Sequence, residues 1–198
     1  MSITISTMPI TSRLIVFFLG VSLPSVVFGR AVFAIFIGLA IITLFYCKPW
    51  REIIRDLVNQ VKTPLGSMIL INFVAWIPNV FISDFPIRSF EAIFRTLIFI
   101  SIAAMFYSYL RSNTLVLYRV LQVFTFATAV TMGFALLSMT VLPEIYWLFK
   151  LQGWLSQPIG TSLKGFSALA VLIVPLLIVA TRDASKIWKL ACGMIILS

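Results

Sequence analysis

The sequence predicts an all-α fold: a polytopic helical membrane protein with about six transmembrane helices and the start of a seventh. Three observations lead there. Of 198 residues, 61% are apolar or aromatic and 11% are charged, against about a quarter charged in soluble domains. The mean hydropathy is +1.10. Runs such as Phe94–Met105 and Ala168–Ala180 are apolar almost without a break, whereas the strands of a membrane barrel alternate. A soluble domain of roughly 150 to 200 residues leaves about 30% of its unfolded-chain area in water, which excludes a soluble enzyme, a nucleic-acid module and a disordered chain.

The spans follow in order. The first runs from about Ile10 to Phe28, with Pro24 near its end, and Gly29-Arg30 makes a tight turn into a second span, Ala31–Cys47. The opening 29 residues lack an Ala-x-Ala site and the apolar run resumes after one turn, so a hairpin is expected rather than a cleaved leader. In Lys48–Lys62, the residues Ile53, Ile54, Leu57, Val58 and Val61 recur at helical spacing opposite the charges. That pattern reads as an amphipathic helix on an anionic lipid surface. Span three covers Leu65–Ile82 with Pro78 inside it, and the loop Ser83–Ser89 leads to span four, Phe90–Leu110. Asp84 is expected to make the turn before Pro86. Arg111-Ser-Asn is a turn signal. Span five follows at Thr114–Leu142, then a mixed segment, Pro143–Lys164, and span six at Gly165–Thr181. The final run, Leu190–Ser198, holds nine residues where a span needs about 20. A single transmembrane domain, the N-terminal part of a longer protein, is the expectation.

Lys and Arg number 15 against 6 Asp and Glu. Distributed over the alternating sides, ten basic residues fall on one: Arg13, Lys48, Arg51, Arg55, Lys62, Arg111, Arg119, Arg182, Lys186 and Lys189. Five fall on the other: Arg30, Arg88, Arg95, Lys150 and Lys164. The richer side should be cytoplasmic, with the N-terminus inside. Spread over several loops, these charges form no face that could track nucleic acid. Cys47 and Cys192 have no metal or disulfide spacing, and histidine is absent, so neither a metal nor a cofactor is expected.

Ionisable residues in spans are costly and default to functional candidates. Arg88, Glu91 and Arg95 are spaced i, i+3, i+7 near the outer end of span four and share one helix face. Arg95 should sit about 9 Å along the axis. Two guanidiniums around one carboxylate suit a phosphate or pyrophosphate; alternatively, Glu91 and Arg95 satisfy each other while Arg88 snorkels. In the outer segment, Gly160, Thr161, Ser162 and Lys164 precede span six and either hold an anion at a helix N-terminus or form a plain interfacial linker. Arg119 at the inner end of span five reads as snorkelling, and the apolar runs show no clear polar stripe.

The stretch Trp76–Ile100, with Ser83, Asp84, Pro86, Ser89 and Arg95, resembles the third and fourth spans of the O-antigen ligase and polymerase family. Gly160–Ile178, with Gly160, Thr161, Ala168, Ala170 and Pro175, is similar to a later span of that family. The resemblance implies a GT-C-type glycosyltransferase of lipopolysaccharide biosynthesis in the bacterial inner membrane. Such proteins move a glycan from undecaprenyl pyrophosphate, at the periplasmic face, to the lipid A core (ligases) or to another O-unit (polymerases). A cationic cradle for the leaving pyrophosphate is needed, with Arg88, Arg95 and Lys164 as candidates and Glu91 in support. The family's large second-half periplasmic loop, with a histidine in ligases, has no counterpart here, so this chain by itself is expected to be inactive. Two other readings stay open: a transporter or permease subunit, and a non-enzymatic membrane scaffold.

Overall fold

In a computed structural model, residues 8–140, 144, 177–178 and 186–197 are described. Seven α-helices are described: α1 (Ile10–Ser22), α2 (Arg30–Cys47), α3 (Trp50–Val61), α4 (Pro64–Ile82), α5 (Pro86–Ser112), α6 (Thr114–Thr140) and α7 (Lys186–Leu197). No strand occurs among the described residues. Three helices are long and apolar enough to cross a membrane: α4, α5 and the first 21 residues of α6, Thr114–Phe134. A fourth is counted only if α2 and α3 are one broken span. Because α3 carries Arg51, Glu52, Arg55 and Asp56 within 12 residues, it belongs at an interface rather than in hydrocarbon.

The first expected span is shorter than the sequence suggests. Its helix stops at Ser22, and Pro24–Phe28 continues as a 3-10 turn. Pro24 has no N–H to extend the ladder and fits only the first turn of a new element. At 13 residues α1 is about 20 Å long, short of the roughly 30 Å hydrocarbon core. The expected tight turn is present at Gly29, with φ 127° and ψ 161°, a backbone region essentially confined to glycine. The expected span six is described only at Leu177 and Ile178.

The chain forms two compact units, one of Met1–Cys47 with Leu115–Ser198 and one of Lys48–Thr114. In the first, α1 approaches α6 at Gly20. A Cβ there would lie 2.7 Å from Val123 Cγ1 and 3.2 Å from the Phe124 backbone nitrogen, so glycine permits the contact in the manner of small-residue membrane packing. Phe124 and Ala129 of α6 pack with Leu177 and with Ala191, Cys192 and Ile195 of α7, and Phe126 meets the Trp188 ring edge-on at 6.0 Å.

In the second unit, α3 lies against the α4–α5 hairpin. Thr63 supplies the corner: its hydroxyl donates to the Gln60 carbonyl at 2.6 Å and accepts from the Gly66 amide at 3.1 Å. It is therefore the N-cap of α4, with Pro64 at the first helical position. Pro78 is carried inside α4, a position tolerated in membrane helices. At the other end of the hairpin the Ser83 hydroxyl accepts from the Phe85 amide at 3.1 Å and bonds Ser89 Oγ at 2.9 Å. Ser83, rather than the expected Asp84, makes this turn. Helix α5 then starts at Pro86, four residues before the expected Phe90, because proline is suited to the first turn.

Candidate functional site at the two ends of the α4–α5 hairpin

Helix α5 has 27 residues, about 40 Å, close to the full thickness of a bilayer with its headgroups. Arg88 and Arg111 are 23 residues apart, about 35 Å, and so bracket a hydrocarbon core of about 30 Å. Arg95 lies about 10 Å further along the axis than Arg88. With the helix centred in the bilayer, it is below the headgroups, deeper than the earlier helix boundary implied.

An arginine there needs a partner, and Glu91 supplies one. Glu91 Oε1 accepts from Arg95 Nη2 as an i, i+4 ion pair with side chains 61% and 63% exposed from the protein. Arg88 goes elsewhere: its guanidinium stands over the Phe85 ring, 5.5 Å from the centroid, a cation–π contact. The structure thus brings Glu91 to Arg95 and does not bring Arg88 to either. Asp84 is also exposed at this end, so Asp84, Arg88, Glu91 and Arg95 together sum to zero rather than to the net positive charge expected from the three-residue face. Lys164, Gly160, Thr161 and Ser162 lie outside the described residues.

The opposite end of the hairpin is built differently. Gln60 of α3 donates to Ser108 Oγ of α5 at 3.3 Å, and Lys48 pairs with Asp56 across the start of α3. A polar pocket of about 120 Å³ is lined by Asp56, Asn59, Gln60, Ser108, Arg111 and Ser112. Sharing Gln60 with it is a groove of about 510 Å³ between the end of α3, α4 and α5, whose walls include Val61, Gly66, Phe73, Leu97, Ala104 and Tyr107. The sequence anticipated an amphipathic helix where α3 lies but not this groove. Its signal was the small residues Gly66, Ser101, Ala103 and Ala104, which leave space between two otherwise bulky helices.

Helix α6 holds a feature that the apolar runs concealed. Gln122, Thr125, Thr128 and Thr131 are all buried, at spacings of three. Arg119, expected to snorkel, donates through Nη1 to Gln122 Oε1 at 2.9 Å. Thr125 and Thr131 donate to the carbonyls of Leu121 and Ala127 in their own helix, while the Thr128 hydroxyl has no partner among the described residues. Threonine is nearly neutral in hydropathy, so a buried stripe of it leaves a helix apolar on average. No cluster of metal-ligating side chains occurs among the described residues. No family model, curated protein or solved structure matches the chain.

Proposed function

We propose that the protein handles a lipid-borne diphosphate at the outer membrane face, as a membrane glycosyltransferase of the O-antigen ligase or polymerase type or as part of one. The observation that carries this reading is the pair of arginines at one end of α5. Arg88 is the third residue of a 27-residue helix, where amide N–H groups and the dipole favour an anion. Arg95 lies on the same face two turns deeper and, among the described residues, pairs with an exposed carboxylate. A diphosphate whose isoprenoid tail lies in the bilayer reaches this depth from the headgroup side. Rotating the Glu91 carboxylate away frees the Arg95 fork for a bidentate contact. The chemistry belongs to an activated donor, in which pyrophosphate leaves and the acceptor hydroxyl attacks. This chain's contribution is to bind and orient the leaving group. The reading carries the N-terminus to the cytoplasm and the protein to the bacterial inner membrane, in line with the distribution of basic residues.

The test is a double substitution, Arg88→Ala with Arg95→Ala, in cells that depend on the gene, read as lipopolysaccharide laddering. Loss of the ladder with unchanged protein level in the membrane is expected. Normal laddering removes the argument for both residues.

The stripe of Gln122, Thr125, Thr128 and Thr131 favours a second reading, a transporter or permease subunit, since buried polar residues within spans mark solute paths. Two of the stripe's threonine hydroxyls are already bonded to their own helix, which makes it the weaker candidate. Solute uptake by vesicles containing this protein alone would reverse the preference.

A further inference from the structure

Apart from its two arginines, the hairpin carries a second potential binding feature at its opposite end, one whose dimensions match a single leaflet. The groove wall on α5 runs from Leu97 to Tyr107. Ten residues of helix are about 15 Å, half of a hydrocarbon core of about 30 Å. The midpoint between the bracketing residues Arg88 and Arg111 falls at positions 99–100, so the groove starts near the bilayer midplane and ends at the α3 interface. Along that length its surface is almost wholly hydrocarbon, from Leu97, Ile100, Leu70, Phe73 and Val61. Where it reaches the interface its character changes: Gln60, Asn59, Ser108, Ser112 and Arg111 take over. The carboxylate in that pocket, Asp56, is already engaged by Lys48, which among the described residues leaves the Arg111 guanidinium as the uncompensated charge of the pocket.

An apolar channel one leaflet long, ending in hydrogen-bond donors and one cation, has the chemistry of an anionic phospholipid read from tail to headgroup. We propose that this groove is a lipid site. One acyl chain lies between α4 and α5 against Ala104 and Gly66, and the phosphate sits at Arg111 with Gln60 and Asn59 donating to it. A packed transmembrane helix would fit less well, because it would place apolar side chains against the polar end. At about 510 Å³ the groove is within the range of ordinary small-molecule sites. The site is independent of the glycan-transfer reading, since it lies at the other end of α5 and uses neither Arg88 nor Arg95.

The experiment uses the full chain, with native mass spectrometry from nanodiscs of phosphatidylglycerol and phosphatidylcholine in equal amounts. The wild type is expected to retain one phosphatidylglycerol per chain in preference to phosphatidylcholine. Arg111→Gln should lower that preference about fivefold, the weight of one cation beside an anionic headgroup. Ala104→Phe, which fills the groove, should remove retention of both lipids. Ile98→Phe, at an exposed α5 position outside the groove walls, should change neither, and circular dichroism establishes that each variant folds. Equal retention of the two lipids by the wild type, or unchanged retention in Ala104→Phe, would overturn the proposal.

Discussion

Replacing Gly66 by alanine sets a general rule against a local one. By helix propensity alone, alanine for glycine inside a helix gains about 0.5–1 kcal/mol. At Gly66, however, the added Cβ would overlap the Gln60 carbonyl oxygen and lie 2.8 Å from its carbon and 2.9 Å from Val61 Cα. All three obstacles are backbone, so the α3–α4 corner has to open. Opening it breaks what Thr63 holds together: the cap bond from the Gly66 amide at 3.1 Å, the hydroxyl bond to Gln60 at 2.6 Å and the amide bond to Gln60 at 3.0 Å. A lost N-cap costs about 1 kcal/mol, and each further hydrogen bond about 1 kcal/mol. Set against the propensity gain, Gly66→Ala should destabilise by about 2 kcal/mol. The assay is reversible unfolding in mixed micelles, followed by far-ultraviolet circular dichroism. Thr63→Ala should cost about 1 kcal/mol alone, and the double variant should cost less than the sum, because both changes disrupt one corner. A Gly66→Ala protein more stable than wild type would refute the close approach.

Further outcomes follow from the packing and the ion pairs. Gly20→Ala should destabilise by about 1–2 kcal/mol, since the Val123 branch point 2.8 Å away cannot swing clear as a long side chain could; unchanged stability in the same assay would contradict the α1–α6 contact. Thr128→Val removes a buried hydroxyl with no described partner and should stabilise by about 1 kcal/mol. Thr125→Val forfeits a satisfied bond and should not stabilise, so equal effects would refute the distinction. In double-mutant cycles, the Lys48–Asp56 pair, with side chains 18% and 24% exposed, should show a clear favourable coupling. A solvent-exposed ion pair couples by about 0–1 kcal/mol, and the Lys48–Asp56 coupling should exceed that. No measurable coupling would contradict the burial of the pair.

The helices were legible because span composition and period survive in a single chain. The amphipathic pattern of Lys48–Lys62 gave α3, which runs from Trp50 to Val61, and the Ser83–Pro86 and Gly29-Arg30 signals gave the turns. What was not legible depends on which atoms meet. Pro24 ended α1 earlier than its apolar run suggested, because hydropathy does not register a missing N–H. The Glu91–Arg95 pair was one of the two outcomes that the spacing allowed, and it forms, whereas the Arg88 guanidinium standing over the Phe85 ring had no signal in the spacing. The groove arises from absent side chains at Gly66, Ala103 and Ala104, and empty space leaves no mark on a hydropathy profile. The α6 stripe was hidden because threonine is nearly neutral in hydropathy, and Thr125 and Thr131 turn their hydroxyls to carbonyls of their own helix.

The orientation of the α4–α5 hairpin decides whether the Arg88 end faces a donor outside the cell, and accessibility labelling measures it directly. With the free cysteines Cys47 and Cys192 replaced by serine, single cysteines at Arg88 and Arg55 are exposed to a membrane-impermeant thiol reagent in intact cells. Labelling of Arg88→Cys before permeabilisation and of Arg55→Cys only after it is the expected result. Labelling of Arg55→Cys from outside, with Arg88→Cys protected until the membrane is opened, would contradict the account.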